Sequence, residues 1–293
     1  MSRPSFPARL PSGMPQTGAK PASIQAAAGI PSSKSAAIKK EALSADSTRA
    51  KPLKDLKKAA SQAAPISSAK GMGMDSAAVR ARMVQKLLEG GVQDPAVLAA
   101  MMRVERHRFV DTALAGQAYE DTSLPIGLSQ TISKPNVVAR MIELLRQGCA
   151  LDAQGKMGRI LEIGSGCGYQ AAILAQLSNE VYSIERLRGL YEKALVNIRH
   201  LSAPGLHLLL GDGMLGYAKG APYAGIIAAA GGEAIPSAWI EQLAVGGRIV
   251  APVASHAGRS SAQALMVIDK TAQGLKQTVL ESVLFVPLKS GIA

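Results

Sequence analysis

Aromatic residues are scarce in this 293-residue chain, where six tyrosines, three phenylalanines and one tryptophan amount to 3%. Only Phe6 lies among the basic residues of the first 75 positions, so the stacking platform of a single-strand nucleic-acid binder is missing. Cysteine occurs twice, at Cys149 and Cys167, which supplies neither a disulfide framework nor a zinc ligand set and fits a reducing cytoplasm. No run approaches the roughly 18 apolar residues of a membrane span, and no short apolar core precedes a small-residue cleavage site. The four histidines, His107, His200, His207 and His256, fall on different predicted elements. No metal site and no histidine-based acid–base pair is expected from them.

Acidic residues are also few, and unevenly so. Residues 1–75 hold twelve Lys or Arg against Glu41, Asp46, Asp55 and Asp75, a net +8 of the chain's +12. They also carry eight of the sixteen prolines and are crowded with Ala, Ser and Lys. Such a segment cannot bury enough apolar surface to offset its chain entropy, and it reads as a disordered basic extension. A basic tail could touch nucleic acid or anionic surfaces, but a solubilising linker is the plainer reading. A folded domain is expected over residues 76–293.

Within that domain Val79, Met83 and Leu87 share a helical face that stops at Gly90-Gly91, and Asp94-Pro95 opens a second helix through Val104. Residues 118–133 read as irregular. Ser133-Lys134-Pro135 begins a third helix with Val138, Ile142 and Leu145 on its apolar face. Strands and helices then alternate: strands at 159–163, 180–184, 206–210, 223–229 and 247–252, with helices from Tyr169, over 189–200 and from Pro236. Short apolar strands separated by helices predict an α/β fold with a doubly wound, mostly parallel sheet. Residues 264–268 and 278–286 lack a helix between them and are expected to close the sheet as an antiparallel pair.

The strand Arg159-Ile160-Leu161-Glu162-Ile163 empties into Gly164-Ser165-Gly166-Cys167-Gly168 and then a helix. Glycines there permit a sharp turn and let a ligand lie against the backbone. The alternate spacing is not the G-x-G-x-x-G of dinucleotide sites, and Glu162 suits a cationic group, which together favour S-adenosyl-L-methionine over a pyrophosphate-bearing cofactor. Glu185, ending the next strand about twenty residues on, sits where a ribose is bound in such sheets. Asp212 and Gly213, after a third strand, would converge on the same end and could accept from an adenine amino group, although Asp-Gly is also a simple turn.

The segment Leu124-Pro125-Ile126-Gly127-Leu128-Ser129-Gln130-Thr131-Ile132-Ser133-Lys134-Pro135, with Phe109-Val110 and Ala118-Tyr119-Glu120-Asp121 before it, closely resembles the protein-L-isoaspartate O-methyltransferases. The likeness runs on through the glycine loop, Tyr182-Ser183-Ile184-Glu185, Gly211-Asp212-Gly213, Ala221-Pro222-Tyr223, Gly246-Gly247-Arg248 and Phe285-Val286-Pro287-Leu288, and it covers residues 78–290. It implies a class I S-adenosyl-L-methionine-dependent methyltransferase with a Rossmann-like sheet and N-terminal helices. It also implies methylation of the α-carboxylate of L-isoaspartyl residues in damaged proteins and peptides. By the same resemblance Ser133 is the active-site residue, and Gly164, Gly166, Glu185, Asp212 and Gly213 meet the cofactor; Glu162 and Ser165 of the glycine-loop segment are expected beside them, and Ile132 and Ser133 are expected to meet the substrate. A monomer is expected. Two departures stand out: Val104-Glu105-Arg106 where the family often has Val-Pro-Arg, and Ala229-Ala230-Gly231-Gly232 where it often has Thr-Ala-Ala-Pro.

A carboxylate is already ionised at neutral pH, so its methylation needs alignment and no catalytic base. The Ser133 hydroxyl could hold the reacting groups, or it could merely cap the helix at Pro135. The residues leave two other readings open: a methyltransferase for another carboxylate or small metabolite, and a non-catalytic adaptor using the fold and the basic tail.

Overall fold

A computed structural model describes residues 77–255 and 262–293; the expected disordered extension over residues 1–75, and His256, lie outside the described residues. The first helices are built as their sequences dictate. Helix α1 (Ala77–Glu89) buries Met83 and Leu87. Helix α2 (Pro95–Arg103) starts at Asp94, whose Oδ1 accepts from the amides of Ala96 at 2.8 Å and Val97 at 3.2 Å, with proline at the first helical position. Helix α3 (Pro135–Gly148) ties these to the sheet: Glu143, 2% exposed, accepts from the amides of Gln93 and Asp94, and Arg146 pairs with Asp94 at 2.8 Å.

The expected irregular stretch before α3 is partly regular. A two-stranded antiparallel hairpin forms from β1 (Leu124–Gly127) and β2 (Gln130–Ile132), preceded by 3-10 turns at Arg106–Phe109 and Thr112–Gln117. Its strands are too short, and too rich in Pro and Gly, to show a period-two pattern. The tip turns through Gly127 (φ 101°), Leu128 (φ 49°) and Ser129 (φ 57°).

The main sheet has seven strands: β3 (Met157–Ile163), β4 (Ser178–Glu185), β5 (Leu206–Leu210), β6 (Tyr223–Ala228), β7 (Leu243–Ala254), β8 (Gln263–Thr271) and β9 (Gly274–Val283). Their spatial order is β5-β4-β3-β6-β7-β8-β9, with the first five parallel and β8 and β9 antiparallel, as the repeating pattern anticipates. Helices α4 (Tyr169–Leu177), α5 (Arg188–Ile198) and α6 (Ser237–Gln242) follow β3, β4 and β6. Alternate strand residues feed two cores: Ile160, Ile227 and Val250 pack with the first helices, whereas Leu161, Ile226, Ile249 and Trp239 form the other. Burying both faces is what makes these strands read as continuous apolar runs. The chain winds outward from β3 in one direction to β5 and in the other from β6, so the carboxyl ends of β3 and β6 part at a switch point.

Candidate active site

That switch point opens into a cavity of about 400 Å³. Its floor is the glycine loop. The amides of Gly164 and Ser165 both donate to the carbonyl of Ile184, at 2.8 and 3.1 Å, which fastens the loop to the end of β4. Gly166 has φ +55°, and a Cβ there would lie 3.2 Å from Ile126 Cδ1 of the hairpin, so a side chain would strain the backbone and press on the opposite wall. Gly213 faces the same space; a Cβ on it would stand 2.5 Å from Ile163 Cγ2. A cradle stripped to backbone on two sides, apolar around Ile163 and Ile184, has the shape and chemistry to receive an adenosyl group.

Glu185 lines the cavity with its carboxylate already oriented. Oε2 accepts from Gly166 N at 2.8 Å and Oε1 from Leu187 N at 2.9 Å, leaving lone pairs for two further donors such as vicinal hydroxyls. Opposite stand Ile132 and Ser133 at the end of β2, with Val138 of α3 behind them. The Ser133 hydroxyl is not a helix cap, since the cap of α3 is Lys134, which makes no side-chain capping bond. Of the residues singled out in the sequence, Ile132, Ser133, Gly164, Ser165, Gly166, Glu185 and Gly213 therefore come together on one cavity.

Glu162 and Asp212 do not line it. Glu162 is fully buried beneath the loop, where Ser183 Oγ donates to its Oε2 and Ser183 is in turn bonded to Ser165 Oγ at 2.6 Å. Burial pushes its carboxyl up to about 8, with the Ser183 bond pulling the other way. Asp212 turns its oxygens to the amides of Met214 (2.9 Å) and Gly291 (2.7 Å). Each thus supports a lining element from behind.

Several contributors carry no sign in the sequence of the place they take at the cavity. Val286, Pro287, Leu288 and Lys289 form a strap along the cavity, held by paired bonds between Gly231 and both Val286 and Leu288. The departing Ala229-Ala230-Gly231 stretch accordingly lines the cavity with its alanines and holds the strap with its glycine backbone. Lys193 of α5 reaches the carbonyl of Ile126 at 2.8 Å and fixes the hairpin over the loop. Arg106 is buried behind Ser133, whose carbonyl accepts from its Nη2 at 2.7 Å. An arginine in the polar run Glu105-Arg106-His107-Arg108 gives no hint of full burial.

Known proteins resemble the chain in sequence and in fold. The profile of the protein-L-isoaspartate(D-aspartate) O-methyltransferases fits residues 78–293. A protein-L-isoaspartate O-methyltransferase of Methylibium petroleiphilum is 58% identical over 242 residues, 82% of this chain and 88% of that one. One from Leptothrix cholodnii is 54% identical over 222 residues, covering 75% and 77% of the two chains. Among solved structures, a protein-L-isoaspartate O-methyltransferase superposes with a TM-score of 0.62 at 26% identity, covering 73% of this chain and 67% of that one. A Plasmodium falciparum chain in complex with S-adenosyl-L-homocysteine shares the fold, with a TM-score of 0.59 at 23% identity over 72% of this chain and 98% of its own.

Proposed function

We propose, from the premise that this chain belongs to the protein-L-isoaspartate O-methyltransferase family, that the cavity between the glycine loop and the β1–β2 hairpin is where its methyl transfer takes place. The protein is an S-adenosyl-L-methionine-dependent methyltransferase acting on the α-carboxylate of L-isoaspartyl residues in damaged proteins and peptides. What supports placing the reaction here is one juxtaposition: a backbone cradle with an oriented carboxylate on one wall, and a serine corner on the other.

When bound, S-adenosyl-L-methionine supplies a methyl group on a sulfonium. Gly164, Gly166 and Gly213 bind it by offering backbone without bulk, Ser165 offers backbone with its hydroxyl bonded to Ser183, and Glu185 binds by accepting from hydroxyls. Glu162 and Asp212 act one layer back, the first through Ser183 on Ser165 and the second through the backbone at Met214 and Gly291. Ser133 and Ile132 hold the acceptor, with the Ser133 hydroxyl donating to the carboxylate. Alignment of this kind can supply on the order of 7 to 11 kcal/mol, and no residue needs to take a proton. Hairpin and strap exclude water from the meeting point of anion and cation.

Folding is assigned to residues 76–293, with residues 1–75 as an appendage. We place the protein in the cytoplasm as a monomer; both cysteines are buried free thiols, which suits a reducing compartment. Among the described residues no helix is long and apolar enough to cross a membrane.

The test is methyl transfer from labelled donor to paired peptides differing only in an isoaspartyl or aspartyl linkage. Selective labelling of the isoaspartyl member is expected. Equal labelling, or labelling of a small carboxylate alone, would overturn the substrate assignment, and failure to bind the donor would overturn the site.

A further inference from the structure

Arg106 is 0% exposed, yet among the described residues no carboxylate lies within ion-pairing distance of it. A charge so placed is costly to fold and is normally neutralised by a partner. Two of its three nitrogens, Nε and Nη1, are buried with no partner among the described residues. The third, Nη2, donates to two carbonyls: Ser133 at 2.7 Å and Thr122 at 3.4 Å. Those carbonyls belong to the two ends of one element. Thr122 lies just before β1 and Ser133 just after β2, so a single guanidinium spans the base of the hairpin.

Its position relative to the cavity is equally defined. The guanidinium carbon sits over the Tyr169 ring, 4.8 Å from the centroid, and both Tyr169 and Ser133 line the cavity. Arg106 itself does not line it. A positive charge with no ion-pair partner therefore stands one side-chain layer behind the corner where an anionic acceptor must arrive. Asp121, the acid that acts on it through space, turns its Oδ1 to the amide of Asn136 at 2.8 Å instead. Burial lowers the pKa of Arg106, with the neighbouring Tyr169, Cys167 and Asp121 opposing, but arginine remains charged over the whole working range.

We propose that Arg106 is a positioning residue for the acceptor carboxylate, closing the hairpin at its base and placing an unpaired buried cation behind Ser133. This rests on the methyl-transfer reading above. The charge has a directional consequence. Methyl transfer brings a carboxylate and a sulfonium together and disperses both charges, so a cation behind the acceptor favours the bound anion more than the transition state. Its removal should weaken acceptor binding and leave the chemical step no slower, or modestly faster. The clamp has a second consequence, which is that the hairpin amides should open more readily without it.

The experiment uses the full chain with Arg106→Met and Arg106→Lys. KM and kcat are measured with an isoaspartyl peptide, the Kd of S-adenosyl-L-homocysteine by calorimetry, and hydrogen exchange at residues 124–132. For Arg106→Met a rise of roughly tenfold or more in peptide KM is expected, with kcat and Kd within about threefold of wild type. Hairpin exchange should be faster. Lysine restores the charge without the planar fork, so it should recover most of the KM while the hairpin still exchanges faster than in wild type.

A folded Arg106→Met protein with wild-type peptide KM and wild-type hairpin exchange overturns the proposal. So does a loss shared equally by peptide KM and Kd, which would mark a general structural role. If the methionine variant does not fold, Arg106→Lys decides alone: wild-type exchange in its hairpin rejects the clamp, and faster exchange with unchanged Kd upholds it. Should wild type itself fail to methylate the isoaspartyl peptide, the functional reading falls, and the exchange data still judge the clamp.

Discussion

Glu162 sits where stability and pH meet. Its folded value of about 8 lies above the ordinary carboxyl value of 4.5, so the unfolded chain releases a proton that the folded one keeps. The contribution to stability is full below pH about 4.5 and is lost as pH rises towards 8. The Tm of wild type should therefore fall relative to Glu162→Gln across that interval and run parallel to it above. Parallel curves throughout would mean that Glu162 ionises in the folded state as it does in the unfolded one. Ser133 gives the kinetic counterpart. Removing a hydrogen bond to a charged group costs about 1.5–3 kcal/mol, so Ser133→Ala should lose roughly ten- to a hundredfold in kcat/KM for an isoaspartyl peptide. Its Tm should hold, because the hydroxyl caps no helix. Unchanged turnover in a protein of unchanged Tm removes Ser133 from the mechanism.

At the scale of elements, the helices that announce themselves through capping are the ones legible in the chain. Asp94-Pro95 marks the start of α2, and the same Asp94 also receives Arg146 from α3, a link that no local pattern reveals. Losing a cap costs about 1 kcal/mol and losing the partner of a largely buried arginine adds to it, so Asp94→Ala should lower unfolding free energy by about 2 kcal/mol. Urea titration measures this; a loss under about 0.5 kcal/mol would show that neither bond contributes. The β1–β2 hairpin was not legible, because strands of four and three residues carry too few alternations to reveal a period. What fixes it lies elsewhere in the chain: Lys193 of α5 on the Ile126 carbonyl, and Arg106 on the carbonyls at its base.

For the whole molecule, the matched family profile and the residues lining the candidate cavity both fall within residues 78–293. A protein comprising residues 76–293 should accordingly keep the kcat/KM of the full chain within about twofold, since it retains every described core and cavity residue. Loss of methyl transfer on truncation would show that the basic tail takes part in binding or catalysis. Apolar strands alternating with helices determined the doubly wound sheet, and the glycine spacing marked the loop proposed to receive the cofactor. The Gln130-Thr131-Ile132-Ser133 element determined the family resemblance. These are local patterns, set by backbone conformation and burial period, and they survive being read in one dimension. Only the tertiary structure decided that Glu162 lies beneath the loop and Asp212 turns away from the cavity, that the strap at 286–289 walls it, and that Arg106 stands behind Ser133. Each of those depends on which face of an element meets which distant segment. Burial of a charge is a property of packing, and packing joins residues that the sequence holds far apart.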